Sequence, residues 1–218
     1  MRCYGGIDPS SSEEKPSGCA ILGADGLVVK VGHAYRDEEI QAFFTGFPLT
    51  ALGIDAPSSL PAGMSRCCLE HPASCRCPHT PARTCERQMR QRGFPLYPVT
   101  KTTFPAAKAW IKRGLGLYAR WQVEGVPCFE IYPYATRSIL FPDVAFPKPK
   151  RSRACRALLQ QHLWTWLPSL AGQPYSKTCL SDHELDSLMG ALTVCLFFEQ
   201  NRGVWIGDLG EGRILIPA

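Results

Sequence analysis

The first quarter of the chain is built of short apolar blocks closed by turn residues. Arg2 to Asp8 is an apolar run that ends in Gly-Ile-Asp-Pro and predicts a strand. Cys19 to Leu22 and Leu27 to Val31 flank Gly23-Ala24-Asp25-Gly26, two apolar runs about a glycine-bounded turn, and predict a β-hairpin. Ile40, Phe43 and Phe44 fall on one side of a helix over Asp37 to Phe44. Ala51 to Asp55 is another short apolar strand, closing on Gly-Ile-Asp-Ala-Pro. Ser58 to Pro81 then loses all periodicity; its Pro, Cys, Ser and His residues predict a loop. Helical spacing returns over Arg83 to Gln91 and Ala106 to Trp121, and Val126 to Tyr132 reads as a strand. Phe146 to Lys150 is an exposed linker, and Ser152 to Trp166 is a helix with Leu158, Leu159, Leu163 and Trp166 at compatible spacing. Ser181-Asp-His-Glu184 fits a capping box that opens a last helix to about Gln200, ended by Asn201 to Gly203. That helix is apolar almost all round, which places it in the core. Val204 to Ile206 and Arg213 to Ile216 form a closing pair of strands. Short apolar strands alternating with helices predict an α/β sheet covered on both faces.

Composition adds limits. With 218 residues, 45% hydrophobic and 20% charged, the chain is neither disordered nor fibrous. The longest apolar run, Leu185 to Phe198, is broken by Asp186 and falls short of the roughly 20 residues that span a bilayer. The N-terminus MRCYGGIDPS lacks the apolar core of a signal peptide, so a cytoplasmic protein with no membrane partner is expected. The net charge of +5 is unevenly spread. Residues 76–120 carry +9 and residues 148–156 carry +5, leaving −9 for the remainder. Such segregation suits one face that meets an anion, with a nucleic-acid backbone as the partner.

Acids stand at the ends of apolar strands. Asp8 and Asp55 close two of them, and Glu130 lies within a third. Asp182 and Asp186 are one helical turn apart near a helix start and share a face. A carboxylate in an apolar strand is costly unless paired or metal-bound. Hard oxygen ligands suit Mg²⁺ or Mn²⁺, and two such ions about 4 Å apart activate water and stabilise the leaving oxygen of a phosphodiester. Turn-shaping by Asp8 and Asp55 and a helix-dipole role for Asp182 are the simpler alternatives.

The blocks GIDPS, GIDAPSSLP, CERQMRQRG, FEIYP, DHELDSLMGAL and EGRILIP occur in that order over nearly the whole chain. In this the sequence resembles family 429 of the domains of unknown function, described as predicted RNase H-like nucleases. The resemblance implies a single ribonuclease H-like domain over residues 1–218. Its sheet would be mixed, of about five strands, with an antiparallel meander first and helices flanking. It also implies that Asp8, Asp55 and Asp186 hold the metal, with Asp182 and Glu130 assisting. Arg83, Arg87, Arg90, Arg92 and Lys101 would then position the nucleic-acid backbone, and Ser58 and Ser59 are possible phosphate donors. The activity so implied is divalent-metal hydrolysis of RNA or DNA. The rivals are a non-catalytic nucleic-acid-binding module of the same fold and a phosphoryl-transfer enzyme of the related actin-like class.

The chain departs from that family in a Cys/His/Pro-rich insertion over residues 58–85. Five of the eleven cysteines of the chain lie there, with His71 and His79. No Cys-x-x-Cys pair is present, yet four such ligands can build a tetrahedral structural Zn²⁺ site. The set expected is Cys67, Cys75, Cys77 and His79. Reduced cysteines in a loop and an iron–sulfur cluster are the alternatives.

Overall fold

The computed structural model describes residues 2–78, 82–172 and 178–218. Strands β1 (Cys3–Asp8), β2 (Ser17–Gly23) and β3 (Val28–Ala34) form an antiparallel meander. Helix α1 (Asp37–Phe44) leads into β4 (Leu49–Ile54), which pairs parallel with β1. Next come the helices α2 (Arg66–Glu70), α3 (Thr84–Gln91) and α4 (Pro105–Val123), then β5 (Cys128–Ile131), parallel to β4. Helices α5 (Pro133–Leu140), α6 (Arg153–Leu163), α7 (Ser169–Gly172) and α8 (Asp182–Gln200) follow, and β6 (Val204–Asp208) and β7 (Gly212–Ile216) close the chain. Across the sheet the order is β3-β2-β1-β4-β5-β7-β6. No described helix is long and apolar enough to cross a membrane.

The sheet has seven strands, not about five. The closing hairpin joins it because β7 pairs parallel with β5 through Ile214 and Leu215, covering an edge that β5 would otherwise expose. Three helices also depart from expectation, the short α7 among them. The loop after β4 contains the short α2. Helix α5 begins directly after β5, because Pro133 sits at the first helical position, where its missing N–H costs nothing.

Period-two alternation divides the core. Cys19 and Ile21 of β2 face α1 and α4 with Ile7, Leu52 and Ile54, while Ala20 and Leu22 face α6 and α8. Helix α8 is buried continuously from Leu185 to Leu196, with the sheet on one side and α5 and α6 on the other. Its predicted capping box is present: Glu184 N–H donates to Ser181 Oγ at 3.1 Å, and Ser181 N–H to Glu184 Oε2 at 2.8 Å. Asn201 ends it in the left-handed region at φ 52°.

Helix α8 lies so close to the strands that glycine is required beneath it. A Cβ on Gly6 would sit 1.8 Å from the Ser187 carbonyl oxygen, and one on Gly53 would sit 2.6 Å from that of Gly190. These glycines stand two residues before Asp8 and Asp55, so the same motifs that carry the acids also dock the helix that carries Asp186.

Candidate active site

Register brings the first two acids together. Ile7 pairs with Ile54 across parallel β1 and β4, and the Asp55 N–H donates to Ile7 O at 2.9 Å. Asp8 and Asp55 are therefore neighbours at the ends of strands spaced about 4.8 Å apart. Being two residues beyond Gly6 and Gly53, they lie on the α8 side of the sheet. Asp186 lies on the second turn of α8, the helix packed over these strands. Burial pushes the Asp55 carboxyl well above the ordinary carboxylate range, and Asp8 and Asp186 add to the push. Burial likewise carries Asp186 up to about 6, against the opposing pull of Lys150. The three acids thus act on one another electrostatically.

Two cations sit among them. Lys150 Nζ is ion-paired with Asp186 Oδ2 and also feels Asp8 and Asp55; burial works against its charge, but the acids outweigh it and raise its pKa. The His183 imidazole lies 2.6 Å from Asp8 Oδ2, through Nδ1, and this hydrogen bond raises its pKa. Asp182 pairs with Arg151 at 3.0 Å. Asp186 Oδ1 is buried and has no hydrogen-bond partner. Neither Lys150 nor His183 was singled out in the sequence. Lys150 lies in a segment that reads as linker, and His183 reads only as part of a helix cap.

Asp8, Asp55 and His183 open onto a cleft of about 560 Å³. Its wall carries Tyr97, Phe104 and Trp110, the first two 77% and 53% exposed and in edge contact at 6.1 Å. Lys15 and Arg151 line the same cleft.

Glu130 is not available to a metal. Arg83 grips it in bidentate fashion at 2.7 and 2.8 Å, and Ser58 donates to Oε2 from N–H at 2.8 Å and from Oγ at 2.9 Å. These four donors occupy the carboxylate. Arg83 is correspondingly not a phosphate contact: it is 1% exposed and also bonds Glu86 at 2.9 Å. Ser58 is engaged by Glu130, and Ser59 Oγ donates to the Glu211 carbonyl. Arg87 donates to Ala82 O and Thr84 Oγ1, Arg90 to Leu96 O, and Lys101 to Cys77 O; Arg92 is exposed. Arg113, also in the basic run, is buried and holds Asp37, Ser10, Ser12 and Tyr35. Much of the apparent basic face is thus spent on internal structure, and the basic groups at the cleft are others.

Among the described residues the insertion gathers four thiols. Cys67, Cys68, Cys75 and Cys77 have sulfurs all within 4.8 Å of one another, the only such group of potential metal ligands among the described residues. This group could hold a metal ion. Cys68, not among the expected ligands, joins Cys67, Cys75 and Cys77; the expected ligand His79 lies outside the described residues. Cys85, buried on α3 beside Gly207, serves packing. A hydrogen bond to Cys67 is the main cause that lowers the Cys75 thiol to about 6. Protein-family models and curated proteins were both searched, and neither search gave a match.

Proposed function

We propose that the protein is a divalent-metal-dependent nuclease of ribonuclease H-like fold, hydrolysing phosphodiester bonds of RNA or DNA. One observation carries the reading: Asp8 and Asp55 stand side by side at the ends of paired strands, and the buried Asp186 Oδ1 on the helix packed over them has no partner. A solitary buried carboxylate oxygen is unfavourable unless something unseen satisfies it. The antiparallel meander continued by parallel β4 and β5 supports the fold reading.

The donor set fits Mg²⁺ or Mn²⁺. Asp8, Asp55 and Asp186 offer hard carboxylate oxygens, and a bound cation would offset the burial and mutual repulsion that push the Asp55 and Asp186 carboxyls up. Asp8, Asp55 and Asp186 would hold the ion. When bound, it supplies Lewis-acid activation of water and neutralises charge on the phosphate. The chain's own side chains do the remainder. His183 holds a proton at Nδ1 against Asp8 Oδ2 and fixes that carboxylate's orientation. Lys15 and Arg151 attract the phosphate backbone into the cleft without reading sequence. Tyr97, Phe104 and Trp110 offer faces on which bases stack.

A second reading has its own support. Lys150 already stands as counter-ion to Asp186, which would suit a nucleic-acid-binding module without catalysis. A panel of single strands, duplexes, RNA–DNA hybrids and branched DNA separates the two. The nuclease turns over at least one substrate with Mg²⁺ or Mn²⁺. Salt-sensitive binding with no turnover on any of them would favour the binding module.

A further inference from the structure

We propose that Cys67, Cys68, Cys75 and Cys77 form a structural Zn²⁺ site that folds the insertion onto α4. A tetrahedron with Zn–S bonds of about 2.3 Å has an edge of about 3.8 Å. The Cys67 sulfur lies 3.1 Å from that of Cys75 and 3.6 Å from that of Cys77, and the Cys68 sulfur lies 3.3 Å from that of Cys75. All four fall within 4.8 Å. This spacing suits one ion; an iron–sulfur cube would hold its thiolates farther apart. Soft thiolate ligands select zinc over the hard cations suited to the acid cluster.

The surroundings fit a structural role. Two of the four ligands lie on or at the start of α2, a helix of five residues. So short a helix does not persist by its own hydrogen bonds. Its apolar anchor is Leu69, packed with Val99 and Ile111. Lys101 donates to the Cys77 carbonyl, tying the second ligand pair to the segment that carries Tyr97 and Phe104. Arg66, Arg76 and Lys101 stand beside or against ligands whose four thiolates would exceed the charge of one zinc ion. Metal binding would therefore fix α2 against α4 and, through it, one wall of the acid cleft. Zinc would displace the thiol protons to solvent, so affinity rises with pH.

The test uses the full chain, produced without a histidine tag and without chelators. Elemental analysis should find about one zinc per chain, retained on dialysis. Co²⁺ exchanged into the protein should give the thiolate charge-transfer and ligand-field bands of a tetrahedral site. Four thiols should resist a thiol reagent until a strong chelator is added. Cys77→Ser should lower the metal content severalfold, and Cys179→Ser, outside the cluster, should leave it unchanged. Should Cys77→Ser not fold, thiol protection and the Co²⁺ spectrum of the unaltered protein decide the matter. A zinc ratio near zero after incubation with Zn²⁺, four freely reactive thiols, disulfides within the cluster, or iron with sulfide would overturn the proposal. None of these readouts depends on nuclease activity.

Discussion

Single side chains show how the acid site is balanced. Lys150 is 43% exposed along its side chain, yet its ammonium is the counter-ion of a buried carboxylate. Lys150→Met leaves Asp186 unpaired and should cost about 1–3 kcal/mol in metal-free buffer. Mn²⁺ should then raise the melting temperature of the variant more than that of the wild type, because the ion replaces the lost charge. Equal shifts in paired thermal melts would show that metal and ammonium do not share a place. Arg83 makes the opposite case. It is a fully buried cation between Glu86 and Glu130, and Arg83→Met should destabilise by about 3–5 kcal/mol in denaturant titrations. The salt slope of any nucleic-acid binding should not change, since Arg83 meets no phosphate. A reduced slope at unchanged stability would restore it to the interface. Sequence reasoning missed this pairing because Arg83 and Glu130 are 47 positions apart and no local pattern links them.

At the scale of elements, the site depends on how closely α8 approaches the sheet. Gly6→Ala forces a Cβ against the Ser187 carbonyl and should cost about 1–3 kcal/mol or displace α8. Chemical-shift changes at His183 and Asp186 would report displacement; a variant of full stability with unmoved shifts would contradict the docking account. The base of the insertion depends on the β6–β7 turn. Glu211 accepts from Ala62 N–H at 3.0 Å and from Thr84 N–H and Oγ1, both at 2.9 Å. These bonds hold its carboxyl below the ordinary 4.5. Their stabilisation is present above that value and lost as pH falls through the lowered one. Glu211→Gln should therefore flatten the acid limb of stability against pH, measured by urea midpoints. An unchanged acid limb would remove Glu211 from that role. Much at this scale was legible: the two Gly-Ile-Asp blocks, the hairpin and the α8 capping box are local signals, and each formed where its residues predict. Helix α5 was not, because Tyr132-Pro133 reads as a stop although proline is tolerated at a helix start. The placing of β7 beside β5 is a long-range pairing that no local pattern specifies.

In the whole molecule, two sets of polar side chains stand apart in chemistry: hard carboxylates at the sheet's strand ends, and soft thiols in the insertion that could hold a metal ion. The sequence separated them by residue type, but only the fold shows that Asp8 and Asp55 adjoin and that Glu130 belongs to Arg83. The basic run also changes meaning, since Arg83 and Arg113 face inward while Lys15 and Arg151 reach the cleft. The central claim is that the three acids hold a cation that cuts nucleic acid. The most direct measurement is cleavage in Mn²⁺ by the wild type compared with Asp8→Asn, both shown to be folded by circular dichroism. A variant is preferable to a chelator, which would also reach the thiol cluster. The account predicts cleavage by the wild type and a loss of at least about 100-fold in the variant, the scale of removing one charged group that stabilises a transition state. Equal cleavage by a folded Asp8→Asn protein would contradict it.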